Sequence, residues 1–168
     1  MIILGIDPGY AIVGFGVLEY QNNQFKVLDY GAITTKAGVP FHRRLEHIYD
    51  SLNLLMEKYK PDVMSIEKLF YNTNAKTVID VAQARGVTVL AAQKHHLEIF
   101  EYTPLQVKQS VVGYGRAEKK QVQEMTKIIL KLDAIPKPDD TADALAMAIC
   151  HGHASGSLMG KLKQMEKK

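Results

Sequence analysis

Residues 2–6, Ile-Ile-Leu-Gly-Ile, are apolar without a break, and the run stops at Asp7. A continuous run of this kind fits a strand buried on both faces near the centre of a sheet. Residues 14–20 and 25–34 predict two more strands across the polar break Gln21-Asn22-Asn23-Gln24. Connections that short imply an antiparallel meander. The period then changes: Leu45, Ile48, Leu52, Leu55 and Tyr59 recur at three- and four-residue intervals, so 41–59 predicts an amphipathic helix that Pro61 ends. Residues 62–67 predict a fourth strand, parallel to the first because a helical crossover precedes it. Further on, 74–93 predicts a helix interrupted at Gly86, and 98–103 a fifth strand. Pro104 opens a short helix to 112. Two more helices are predicted over 117–132, with Val122, Met125, Ile129 and Leu132 on the apolar side, and over 139–153. No repeat and no second domain is visible. The pattern predicts one α/β domain over 1–154, a mixed sheet with helices on its faces, and a flexible basic tail over 155–168. A short right-handed crossover sets the first and fourth strands side by side.

Composition narrows the picture modestly. The 168 residues suffice for one sizeable core, and 46% hydrophobic with 23% charged residues is ordinary for a globular chain. A net charge of +3 and a pI near 8.8 are compatible with nucleic acid without requiring it. The placement of charge says more. Lys108, Arg116, Lys119, Lys120, Lys127 and Lys131 stand against only Glu118 and Glu124 in one stretch, which suits a polyanion as well as it suits a solvated helix face. The single cysteine, Cys150, excludes an intrachain disulfide and sits in an apolar helical run, as a buried thiol does. The start carries no signal-peptide pattern and no run approaches membrane-spanning length, so a cytoplasmic protein is expected.

The candidate chemistry lies in acids placed beside apolar segments. Asp7 ends the first strand, Glu67 ends the fourth, and Asp140 and Asp143 open an Ala-rich helix, three residues apart and so on one face. Asp139 is expected off that face, as an N-cap or first-turn acid. Charged groups next to a core are costly unless compensated. Converging carboxylates without a basic partner for each point to divalent cations bound by Asp7, Glu67, Asp140 and Asp143. Two such ions roughly 4 Å apart serve phosphodiester hydrolysis, and all-oxygen ligands favour magnesium, with manganese as a substitute. Asp7, at the centre of the sheet edge, is the natural bridge. Each piece has a plainer reading: Asp7-Pro8-Gly9 as a turn, Glu67 paired with Lys68, Asp140 and Asp143 as helix-dipole acids.

At these residues the chain resembles a known family. Ile3 to Gly9, Ile66-Glu67-Lys68-Leu69-Phe70, Gln83-Ala84-Arg85-Gly86-Val87, Gln106 to Gly113, Ala117-Glu118-Lys119 and Asp140 to Ala146 are similar, in order, to the RuvC Holliday-junction resolvases. The likeness spans nearly the whole chain. It implies a ribonuclease H-like fold with a five-stranded mixed sheet, a homodimer, and magnesium-dependent, paired, symmetric cutting of four-way DNA junctions in recombination and repair. It also implies catalytic roles for Asp7, Glu67, Asp140 and Asp143, with Lys108 and Lys119 near the scissile phosphate and Phe70 at the crossover bases. A branch-migration complex of the RuvA and RuvB type is the implied partner. Acidic Asp139 beside Asp140 is a local variation.

The neighbouring residues agree with a DNA enzyme. Phe70 and Tyr71 follow Glu67 closely and could stack on unpaired bases or cap the core. Asn72, Asn74 and Lys76 could touch phosphates, although the two asparagines also suit a helix cap. Arg116 belongs to the basic stretch, and Lys120 reads as a solvated phosphate contact. Lys119 near a helix start opposes the dipole, a mild penalty that hints at stabilising transition-state charge. Val78, Val81, Ala82, Gly86 and Val89 line one side of 74–93 and could meet a second copy or the rest of the monomer. A ribonuclease on RNA–DNA hybrids is the nearest rival activity. A sugar-kinase or actin-like ATPase would need a second similar domain, and a DNA-binding module with a dead site would lack one of the acids.

Overall fold

The computed structural model describes residues 1–68 and 77–157. Three strands, β1 (Ile2–Asp7), β2 (Ile12–Gln21) and β3 (Gln24–Thr34), form the expected antiparallel meander. Helix α1 (Phe41–Tyr59) carries the chain to β4 (Val63–Glu67), which lies parallel to β1, and α2 (Val78–Lys94) carries it to β5 (Glu98–Tyr102), parallel to β4. Helices α3 (Pro104–Val112), α4 (Lys119–Leu130) and α5 (Asp139–Gly156) complete the order. The five-stranded sheet runs β3-β2-β1-β4-β5, so β1 is central.

Strand alternation sorts the side chains. Leu4 and Ile6 of β1, Val13 and Val17 of β2, and Met64 and Ile66 of β4 join one core with Ile48, Leu52 and Met56 of α1 and Ala84, Ala91 and Ala92 of α2. Ile3, Leu18 and Val63 join the other, with Leu145, Met147 and Ile149 of α5 and residues of α3 and α4. Asp7 has the parity of Ile3, and Glu67 that of Val63. Both acids therefore belong to the α5 face.

That face is packed backbone to backbone. A Cβ on Gly5 would lie 2.1 Å from the Ala144 carbonyl oxygen, one on Gly14 would lie 1.9 Å from that of Asp140, and one on Gly16 would lie 2.6 Å from the Leu145 side chain. The buried Ser65 hydroxyl donates to the Met147 carbonyl at 2.7 Å, and the Thr141 hydroxyl donates to the Gly31 carbonyl at 3.1 Å. These contacts fix both the height and the register of α5 on the sheet.

Several boundaries differ from expectation. Asp62 precedes β4; its carboxylate accepts the Ile2 amide at 2.6 Å and clips the starts of the two central strands together. Helix α2 passes through Gly86 unbroken, because nothing around that residue forces a bend. Its buried stripe is Ala84, Thr88, Ala91 and Ala92, while Ala82 and Gly86 are exposed. Helix α4 starts two residues later than predicted, with Glu118 and Gln121 forming its capping box, and α5 runs on to Gly156. Among the described residues, no helix is long and apolar enough to cross a membrane.

Candidate active site

Register brings the first two acids together. β1 and β4 pair in parallel up to Ile6 opposite Ile66, and Asp7 and Glu67 are the next residue on each strand. Helix α5 starts above this edge, seated on Gly14 by its Asp140 carbonyl. One turn in, Asp143 reaches the same place. A cleft of about 280 Å³ opens there, lined by Asp7, Glu67 and Asp143, by Lys108 of α3, and by Lys119 and Val122 of α4.

The electrostatics are those of an under-compensated acid cluster. Burial, then the charges of Asp143, Glu67 and Asp140, push the Asp7 carboxyl up to about 8, with Lys119 opposing. Burial and Asp143 raise Glu67 in the same sense. Asp143 is raised by burial, against the hydrogen bond and charge of Lys119. Lys119 Nζ lies 2.8 Å from Asp143 Oδ2 and 3.9 Å from Asp139 Oδ2. Partial burial works against the Lys119 charge, but Asp143, Asp139 and Asp7 together hold its pKa above the ordinary lysine value. Lys119 thus partners Asp143, and the acid cluster is compensated only in part.

Asp139 is a first-turn acid, one of its two expected places, but it does not stand apart from the face of Asp143. Pro138 is the residue at the N-cap, and Asp139 is the first helical residue. It stands four positions from Asp143, and neighbours so spaced share a face, which is why one lysine touches both. Lys137 Nζ holds its other oxygen, Oδ1, at 2.7 Å and draws the Asp139 pKa down.

Comparison with known proteins converges on one family. The profile of "Crossover junction endodeoxyribonuclease RuvC" matches residues 3–151. A protein of that name from Ruminiclostridium cellulolyticum is 63% identical over 95% of this chain and 98% of its own length. The chain belongs to the RuvC family of crossover junction endodeoxyribonucleases. Among solved structures, Thermus thermophilus RuvC superposes with a TM-score of 0.86 at 29% identity, covering 92% of this chain and 95% of that one. The same protein in complex with a Holliday junction substrate matches with a TM-score of 0.84 at 27% identity, over 92% and 95% of the two chains. The α/β, ribonuclease H-like architecture of the resolvases is therefore that of this chain.

Set beside the family's motifs, the expected residues divide into four groups. Asp7, Glu67, Asp143, Lys108 and Lys119 meet in the cleft. Asp140 sits at the start of α5, close enough for its charge to act on Asp7 and Asp143, but it does not line the cleft. Arg116 and Lys120 line a separate shallow depression with Tyr114 and Glu124. Phe70, Tyr71, Asn72, Asn74 and Lys76 lie outside the described residues. Two supporting residues escaped the sequence reading. Arg85 of α2 pairs with Glu101, and its Nε donates to the Glu67 carbonyl at 3.5 Å, steadying the end of β4. Lys137 anchors Asp139. Arg85 stood within a quoted motif without a role, and no local pattern marks Lys137.

Among the described residues, no three acids or histidines close into a finished metal cage. The donor set nonetheless fits a hard divalent cation. It consists of carboxylate oxygens, few of them compensated, and burial followed by the neighbouring acids pushes its central member up to about 8.

Proposed function

We propose that this chain resolves four-way DNA junctions by paired, symmetric, metal-dependent hydrolysis of phosphodiesters. The observation that carries the reading is the cleft itself: Asp7, Glu67 and Asp143 converge on the face where Lys108 and Lys119 offer positive charge. Asp7, Glu67, Asp143 and Asp140 would hold magnesium, with manganese able to replace it. Two such ions, when bound, supply an activated water and charge stabilisation for in-line displacement at phosphorus.

The chain's own residues supply the rest. Lys108 and Lys119 bind the scissile phosphate and hold positive charge where negative charge grows in the transition state. Val107, Val122 and Met147 wall the cleft and limit water, which strengthens those interactions. Exposed Arg116 and Lys120 track the phosphates of a duplex arm, and Phe70 and Tyr71 meet the crossover bases. A homodimer places two such clefts on a twofold substrate. Its contact surface is the outer side of α2, where Ile79 and Leu90 stand 65% and 53% exposed beside Gly86. A branch-migration complex would deliver the junction.

The test is cleavage of a synthetic four-way junction beside linear duplex and RNA–DNA hybrid, in magnesium and in chelator. Symmetric paired nicks in the junction alone, lost with chelator, are expected. Cutting of the hybrid would move the same site to ribonuclease chemistry, and cutting in chelator would remove the metal from the account.

A further inference from the structure

Lys119 has more acidic company than one catalytic lysine needs. Its ammonium lies 2.8 Å from Asp143 and 3.9 Å from Asp139, carboxylates one turn apart on the same face of α5. Its side chain is 57% exposed, and a lysine stem with four rotatable bonds can move between two such neighbours. Asp139 is held ready for it. Lys137 takes Oδ1 at 2.7 Å and leaves Oδ2 facing Lys119. From the other side, the buried Gln123 amide leans on Asp139 without completing a hydrogen bond of normal geometry. Asp139 does not line the cleft.

The arrangement answers a problem that the proposed chemistry creates. A divalent cation on Asp143 repels the Lys119 ammonium and competes with it for the carboxylate that Lys119 now contacts through Oδ2. A lysine displaced into solvent would be lost to the phosphate that follows the cation into the cleft. We propose that Asp139 is a positioning residue: it receives the Lys119 ammonium when a cation takes Asp143, and so keeps that charge at the cleft. Asp143 and Asp139 are two berths for one lysine, and Lys137 holds the second. The inference rests on the reading of Asp7, Glu67 and Asp143 as metal ligands.

It is tested by calorimetric titration of the DNA-free, full-length protein with manganese chloride. Asp139→Asn removes the second berth, so Lys119 stays on Asp143 and manganese binds about two- to fivefold more weakly, the range of a partly exposed ion pair. Lys119→Gln removes the competitor and tightens binding by a similar factor. Added to Lys119→Gln, Asp139→Asn then has no further effect, and Asp139→Glu in the otherwise natural chain restores affinity. If Asp139→Asn weakens manganese equally with and without Lys119, Asp139 acts as a distant charge and the berth is overturned. Lys119→Gln that leaves the affinity unchanged overturns it too. Asp7→Asn, titrated alongside, separates the failures. Manganese binding that survives Asp7→Asn sinks the metal-site reading, whereas Asp7-dependent binding indifferent to both Asp139 and Lys119 removes the berth alone.

Discussion

The two faces of the sheet are built by different rules. On the side of α1 and α2, large apolar side chains fill the space between sheet and helices: Leu4, Ile6, Ile48, Leu52 and Met56 are almost wholly buried. On the α5 side, glycines let the helix backbone descend onto the strands, and hydroxyl-to-carbonyl bonds from Ser65 and Thr141 fix its register. Side chains in a core can repack around a change of a methyl group. Backbone packed against backbone has no such slack. The stiffer layer carries the acids, and chemistry that needs groups held within a fraction of an ångström belongs on it.

Neighbours on one strand divide the two faces most sharply. Asp7→Asn is expected to keep junction binding in a gel-shift assay while cutting falls by roughly a hundred- to a thousandfold, the scale for deleting one preorganised charged group. Ile6→Val, one residue away on the opposite face, should cost about 0.5–1.5 kcal/mol of stability and leave cutting near the natural rate. Equal losses of activity from the two would erase the distinction.

The acid face should also betray itself in the pH dependence of folding, measured in chelator. The Asp7 carboxyl is raised to about 8 from an ordinary 3.8, so the folded chain holds a proton there that the unfolded chain releases. Between those values the native state binds more protons, so stability falls as pH rises. Its contribution is fully present below the unfolded value and lost through the folded one. Thermal melting of the metal-free protein should therefore drop between pH 5 and 8, by on the order of a few kcal/mol, and Asp7→Asn should flatten the curve and melt higher at pH 8. Added magnesium should recover part of the loss in the natural chain only. A flat natural curve would mean that Asp7 is neither desolvated nor crowded by the other acids.

How legible this was in the sequence depends on range. Asp7 and Glu67 are visible because each ends an apolar run, and Asp143 because it enters an Ala-rich helix. Even their common face follows from counting by twos from Ile3 and Val63. Lys119 showed in the basic stretch, in the family resemblance and as a mild conflict with its helix dipole; its pairing with Asp139 and Asp143 depends on how α4 packs against α5, which no local pattern records. The same holds for Lys137. Arg116 and Lys120 were legible only as members of a basic stretch; that they line a depression apart from the cleft depends on the tertiary packing around the start of α4. The inner face of α2, with Ala84, Thr88, Ala91 and Ala92, was not marked in the sequence because Val, Ile, Ala and Leu surround that helix, so its period singles out no side.

The glycine bed gives the next test. Gly14→Ala would set a methyl 1.9 Å from the Asp140 carbonyl oxygen, so α5 must lift at its first turn. A loss of about 1–3 kcal/mol in chemical denaturation is expected, the usual range for overpacking, with a drop in cutting larger than the lost stability explains. If stability falls and cutting per folded molecule does not, the height of α5 is unimportant to the acids it carries.

Gly86→Ala is the gentlest probe and the counterpart on the other side. Within one chain the new methyl meets nothing within 4 Å, and alanine in a helix is favoured over glycine by about 0.5–1 kcal/mol. The isolated chain should therefore become slightly more stable. A second copy seated on the face of Ile79, Gly86 and Leu90 would lose close approach at that methyl, so self-association measured by sedimentation should weaken while the monomer gains. Ile79→Asp should weaken it further, since a carboxylate would then be buried between copies. Only a partner molecule can oppose a change that the monomer welcomes. Opposite signs in the two measurements would assign the α2 face to assembly, and matching signs would leave it facing water.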